Sequence, residues 1–333
     1  MVLWRSTDTG KRKEHHMSKE TEKVFKAFDE YTKIHGSPSS EEELNEMLHT
    51  FMQGYNSTLS GAERLTSATA KTADDYLELA EHADSMEEAL RYAKKALKLE
   101  PDNLDAEVLA AALSTKDHFD RLKKLEKVVE HGNQLMRQAG YFDEEYIGEF
   151  WGFHQTRPYM RLRQAYADML IDVCMFDAAV CECEDMLRLS ENDNIGARYT
   201  LMHLYALLGA EEKALKLLEK YDEEGAMMLL PLSVIYYKKK NLTEALKYLK
   251  KIVKKNPDMK KFLRIAAVQG NPLPKNFMPS YYRPFTIDEI NTTVFENDWL
   301  YMTAGMYFIW ANKEINEKGR KPASKSSGNK RRK

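Results

Sequence analysis

Cysteine is scarce in this chain, with only Cys174, Cys181 and Cys183 among 333 residues. So small and odd a number excludes a disulfide framework. Cys181 and Cys183 also project from different sides of any helix that holds them, and no further ligands stand nearby to complete a metal site. Small buried thiols in a reducing cytoplasm are the expectation, with no cofactor. Long hydrophobic runs are missing too. The longest charge-free stretches, Gly225–Tyr237 and Trp299–Asn312, are too short to span a bilayer, and the first holds Pro231. No secretory signal pattern opens the chain, because Met1–His16 is charged and lacks an apolar run. Glycine-rich phosphate cradles, nucleophile motifs and metal-ligand spacings are absent as well, so the chain is not read as an enzyme.

What is present is a recurring helical layout in a chain of 43% apolar residues. Its first unit carries Tyr76, Ala80, Ala89, Ala93 and Ala96, and stops at Pro101-Asp102-Asn103. Small residues suit positions where two helix backbones must approach. Proline cannot donate the next backbone hydrogen bond, and Asp or Asn can cap the helix after it. Similar sets recur around Ala179, Ala214 and Ala245, and these alanines lie 35 and 31 residues apart. Glu191 replaces the proline in one unit, and Pro257 closes the last. A divergent helix pair is expected between Ala106 and Arg137. The recurring residues resemble the tetratricopeptide repeat, about 34 residues forming two antiparallel helices. That resemblance implies an all-α solenoid with a protein-binding inner face.

Around the repeats the chain reads as a series of zones. Residues 1–16 are set apart as a disordered leader, since Met17-Ser18-Lys19 reads as a beginning. Residues 17–71 form an N-terminal helical hairpin and connection, with Val24, Phe25, Phe28 and Tyr31 on one face and Ser40 with Glu43 as a capping box. The repeat zone is 72–263. Residues 264–317 hold a proline-rich segment, with Pro272, Pro274, Pro279 and Pro284, and then two helices that cap the stack, opened by a capping box of Thr286 and Glu289. Residues 318–333 are a disordered basic tail. This tail has eight Lys or Arg and no acid, while the whole chain carries −2, so the first 317 residues carry −10.

One block departs from a plain repeat: Phe150-Trp151-Gly152…Thr156-Arg157-Pro158-Tyr159-Met160-Arg161. With Asn256-Pro257…Lys261-Phe262-Leu263 and Trp299…Thr303-Ala304-Gly305, it resembles bacterial tetratricopeptide proteins related to the suppressor-of-tumorigenicity-seven family. The resemblance covers Thr72–Trp310 and implies a repeat protein without known catalytic activity. Some bacterial repeat proteins of this type end in a cysteine-rich zinc motif. Gly319–Lys330 keeps some of its rhythm but no cysteine, so no zinc site is expected there. Within the block, Thr156 and Pro158 read as a helix start. Trp151 and Phe153 are expected to pack on that helix, and Arg157 to meet an acid or free carbonyls. His154 has no catalytic partner in the sequence and reads as structural.

The functional expectation is a partner-binding groove lined by Arg161, Gln164, Asp168, Tyr199, His203, Tyr237 and Lys238, binding a protein or peptide. Aromatics and an arginine suit interface anchors. The carboxylate-clamp form of such grooves is disfavoured, because Asp168 repels a carboxylate and Leu230 and Val234 cannot pair with one. The alternative is a nucleic-acid- or ribosome-associated adaptor that uses Lys330, Arg331, Arg332 and Lys333 against phosphate. That tail has no aromatic to stack on bases.

Overall fold

The computed structural model describes residues 9–60, 65–270, 273–275, 277–279 and 282–318. Among them are sixteen α-helices and no named strand. Lys330, Arg331, Arg332 and Lys333 lie outside the described residues. The first two helices are α1 (Thr9–His35) and α2 (Glu41–Ser60). Helix α1 reaches back well before Ser18 and takes in half of the stretch set aside as a leader. Residues 11–16 hold no glycine or proline, so nothing there stops a helix already nucleated further along from extending backward. The expected capping box at α2 is displaced by one residue. Ser40 Oγ accepts from Glu43 N at 3.2 Å, but the Glu43 carboxylate returns to Ser39 N at 2.8 Å.

Next come α3 (Ala73–Glu81) with α4 (Met86–Leu99), and α5 (Leu104–Leu113) with α6 (His118–Gln138). They are followed by α7 (Arg157–Asp172) with α8 (Phe176–Leu189), α9 (Ala197–Leu208), α10 (Glu211–Tyr221), α11 (Ala226–Lys238) with α12 (Leu242–Lys255), and α13 (Met259–Gln269). Helices α3 and α4, α5 and α6, α7 and α8, and α11 and α12 pack as consecutive pairs, while α3, α5 and α7 also pack in series. Ala80, Ala89, Ala93, Ala96, Ala179, Ala214 and Ala245 are all buried, as small residues between close helices should be. Chain breaks work as the sequence indicates. Helix α4 ends before Pro101, and Asn103 Oδ1 then caps α5 by accepting from Ala106 N at 3.0 Å. Thr72 and Asp75 form a reciprocal box at α3.

The packing divides into two compact units whose main spans are Lys11–Arg198 and Tyr199–Lys333, with the boundary inside α9. In the first, the 139–156 connection between α6 and α7 holds an aromatic cluster. Phe150 is fully buried and stacks near Phe142 and Tyr159. Its backbone N–H and that of Gly148 both donate to Leu189 O, which ties the connection to the end of α8. Trp151 and Phe153 are only half-buried. Phe153 lies on Tyr141 and Tyr146 of the same connection, so its ring serves the loop and not the helix expected to receive it. Thr156 donates to Phe153 O where an N-cap would accept, because its backbone is already helical. Arg157 donates to Trp151 O at 2.8 Å, with its guanidinium over the Trp151 ring.

In the second unit, α14 (Ile287–Glu296), α15 (Asp298–Thr303) and α16 (Gly305–Asn312) follow the proline-rich segment, and a π-helical turn covers Lys313–Glu317. Three short helices thus stand where two were expected, because the chain breaks again at Ala304-Gly305. The Thr286–Glu289 capping box does not form. Thr286 instead donates to Arg283 O, and the buried Glu289 carboxylate accepts from Phe285 N and from Ala226 N. The second of these bonds, at 2.5 Å, places a carboxylate at the start of α11, whose own N-cap is Gly225 and has no side chain to offer. The charge-free runs now have a structural reason. Helix α11 is buried from Ala226 to Tyr236, and α16 helps to cover it.

Candidate partner-binding site

The first helices of the pairs carry the residues expected to line a groove, and the structure covers much of that face with the chain's own segments. In the first unit the covering segment is α1. Arg161 on α7 is 7% exposed, and its guanidinium is shared between two carboxylates. Nη1 and Nη2 donate to Glu22 of α1 at 2.7 and 2.9 Å, while Nε and Nη2 donate to Asp105 of α5 at 2.8 and 2.6 Å. Burial alone would lower the Arg161 pKa, but Asp105 and Glu22 outweigh it and raise it, so the charge is held firmly. Arg161 is therefore an interior ion pair, which corrects the expectation of an open surface anchor. Gln164 and Asp168, further along α7, are half-buried.

Further polar contacts of α1 lie beside this one. Lys23 pairs with Glu78 of α3 at 2.6 Å, and Lys26 with Asp74 of α3 at 3.0 Å. Partial burial pulls the Lys23 pKa down, but the Glu78 hydrogen bond and charge carry it above its ordinary value. Asp29 meets His154 Nε2 at 3.1 Å and accepts from Gln155 at 3.3 Å, and Phe25 stacks on the His154 ring. Burial is the main cause that keeps the His154 pKa below its ordinary value. This histidine joins α1 to the connection before α7, a structural role. The apolar side of α1 turns elsewhere: Phe28 and Tyr31 pack on Phe51 of α2, with ring centroids 5.1 and 5.5 Å apart.

In the second unit the C-terminal helices do the covering. His203 is fully buried, with Nδ1 at 2.7 Å from Tyr199 O and Nε2 at 3.0 Å from Tyr301 Oη. An imidazole that donates to the carbonyl and accepts from the phenol fits both bonds, and burial lowers its pKa to about 4. His203 is thus a neutral core group and cannot touch a partner, a second correction. Tyr199 is half-buried and donates to Glu223 at 2.8 Å. Tyr237 lies against Tyr307 and Trp310, with centroids 5.4 and 5.1 Å apart. Lys238 turns back to donate to Ala206 O and Leu207 O at the end of α9. Partial burial lowers its pKa. Tyr307 donates to Ser233, which donates in turn to Ala245 O, so a hydrogen-bonded chain runs through this core.

Three features escaped sequence reasoning. Arg163, two residues from Arg161, is also buried, at 6% exposure. It pairs with Glu182 and Asp185 of α8 and donates to Tyr159 Oη, which donates to Asn133. The arginines at 157, 161 and 163 were a visible signal, but the carboxylates that meet Arg161 and Arg163 lie 19 to 139 residues away. Gly132 marks where α6 meets α7, since a Cβ there would sit 2.8 Å from Leu162 Cδ2. The third feature is a cleft of about 660 Å³, floored by Leu242, Leu246 and Trp310 and edged by lysines of α12 and by Lys318.

The thiols differ from expectation. Cys183 is buried and burial raises its pKa, whereas Cys174 and Cys181 are exposed. Among the described residues, no helix is long and apolar enough to cross a membrane. Compared with known proteins, the chain matches no family model and no curated protein.

Proposed function

We propose that this protein is a non-enzymatic interaction scaffold, a tetratricopeptide-like stack that holds a protein or peptide on the face formed by the first helices of its pairs. The observation that carries the reading is the seating of α1 on α3 and α7 through Glu22, Lys23 and Lys26. A face that receives one helix through paired charges has the chemistry to receive another. The groove is narrower than the sequence suggests, because His203 and Arg161 are interior. The buried alanines at repeat spacing support the tetratricopeptide assignment, and the resemblance to bacterial relatives of the suppressor-of-tumorigenicity-seven family belongs to the same proposal. A cytoplasmic setting suits exposed, unpaired Cys174 and Cys181.

The test is capture of partners from cell extract by the immobilised full chain, with cross-linking to locate them. Asp74→Lys with Glu78→Lys should lower capture at least tenfold while the helical circular-dichroism signal stays unchanged. Undiminished capture by that variant would remove the face from consideration. A second reading, an adaptor for nucleic acid, is favoured by the lysines of α12 that edge the cleft next to Lys318, where the basic tail begins. RNA retention that falls steeply with salt, and vanishes in Lys250→Glu with Lys254→Glu, would put this reading first.

A further inference from the structure

Helix α1 is attached to the repeats by one side and to α2 by the other, and the two sides differ in chemistry. Toward the repeats it presents Glu22, Lys23, Phe25, Lys26 and Asp29, which meet Arg161, Glu78, His154 and Asp74. Positions 22, 25, 26 and 29 fall on one helical face, at the i, i+3, i+4, i+7 spacing by which a helix is read in a groove. Toward α2 it presents Phe28 and Tyr31, which meet Phe51. Phe28 and Tyr31 therefore travel with α1 and α2 as a hairpin, and ion pairs join the hairpin to the repeats with the Phe25–His154 stack beside them.

Those charges are arranged unequally. The side chains of the Lys23–Glu78 and Lys26–Asp74 pairs are 27–41% exposed, so salt and water reach them. Arg161 keeps Asp105 as a partner if Glu22 leaves. Lifting α1 away would thus not strand a buried cation. It would uncover an ordered set of receptors: Asp74 and Glu78 on α3, Arg161 on α7 and His154 before it.

We infer that this set is a docking site for a helix of another protein that repeats the pattern of α1. That pattern is a carboxylate, lysines one and four residues later, an aromatic ring three later and a carboxylate seven later. In the closed chain, α1 occupies the site as an internal stand-in and competes with the incoming helix. The inference rests on the functional reading above and specifies its partner. A carboxylate is required for Arg161, and the lysines answer Asp74 and Glu78, so a helix with those charges reversed is refused. Because the competitor is tethered, its effective concentration is high, and an incoming helix binds more tightly once α1 is weakened.

The test uses the full chain and a fluorescent synthetic peptide with the sequence of residues 21–35, followed by anisotropy. The Lys23→Glu, Lys26→Glu chain keeps every receptor residue and has a weakened α1. It should bind the peptide at least tenfold more tightly than the unaltered chain. In the chain that carries Asp74→Lys and Glu78→Lys alone, α1 is weakened by like charge instead; it should not bind this peptide, and a peptide with glutamate in place of both lysines should restore binding. The restored pair excludes simple unfolding as the cause of the loss. Failure of the peptide to saturate the weakened chain, or indifference to the charge swap, would overturn the inference. A concentration-dependent dimer dispersed by the peptide would assign the site to a second copy of this chain and overturn it as well. Capture of partners that depends on Asp74 and Glu78, together with no peptide binding, would leave the functional reading standing and remove this inference alone.

Discussion

The two ends of this chain do the same job by opposite means. Each covers the first helices of its own unit, but α1 does so with Glu22, Lys23, Lys26 and Asp29, and the C-terminal helices do so with Tyr301, Tyr307, Phe308 and Trp310. Leu300, Tyr301, Tyr307, Phe308 and Ala311 are all buried, whereas Glu22 is the one buried residue among the described side chains of α1. Apolar burial stabilises by roughly 25 cal/mol per Å² and does not weaken with salt, while a part-exposed ion pair contributes at most about 1 kcal/mol and does. The C-terminal cover is therefore part of a core, and the N-terminal cover is a latch.

Breaking the comparison at its strong end should have the largest effect. Tyr307→Ala removes a fully buried ring and leaves Ser233 without its donor. We expect a loss of about 3–5 kcal/mol in the denaturant stability of the second unit. A loss below about 1 kcal/mol would show that α16 is not core. Arg161→Met is next, with about 3 kcal/mol, because it removes the buried cation that the Glu22 and Asp105 carboxylates share. Hydrogen exchange should place this loss in the first unit and show α1 released. Protection of α1 that matches the unaltered chain would count against the latch.

The third effect is set by pH. His203 is held near a pKa of about 4 in the folded protein and takes up its proton near 6.5 when unfolded. The unfolded chain is then protonated first, so stability is full above about pH 6.5 and declines as pH falls toward 4. The decline approaches about 3 kcal/mol. His203→Gln should flatten that slope in equilibrium unfolding, and an unchanged slope would assign it to other groups. The smallest effect belongs to the latch. Lys23→Ala with Lys26→Ala should cost roughly 1 kcal/mol at low salt and less at high salt. Exchange of α1 amides should quicken with added salt, while that of α16 should not.

Much of the framework was legible in the residues, and the reasons are local. Alanines at repeat spacing marked the tight helix contacts, and Pro101 with Asn103 marked an end and a start, because a missing N–H and a side-chain cap act within a few residues. The Thr286–Glu289 pair looked equally local yet failed. Glu289 found a better partner in Ala226 N, 63 residues away, where Gly225 leaves a helix start uncapped. Arg161 and His203 were picked out as important for the wrong reason. Nothing within their own helices indicates that Glu22 and Tyr301 will cover them.

By itself, the amino-acid sequence determined that this chain is helical, where most helices break and which small residues lie between them. Periodicity and backbone chemistry are properties of neighbours, so they can be read from order alone. Only the tertiary structure decided that α3 and α7 in one unit are covered by charge and that α9 and α11 in the other are covered by rings. The partners in both covers lie between 46 and 139 residues apart. Each side chain could have met water instead, and the choice was made by the folded surfaces that brought the partners together.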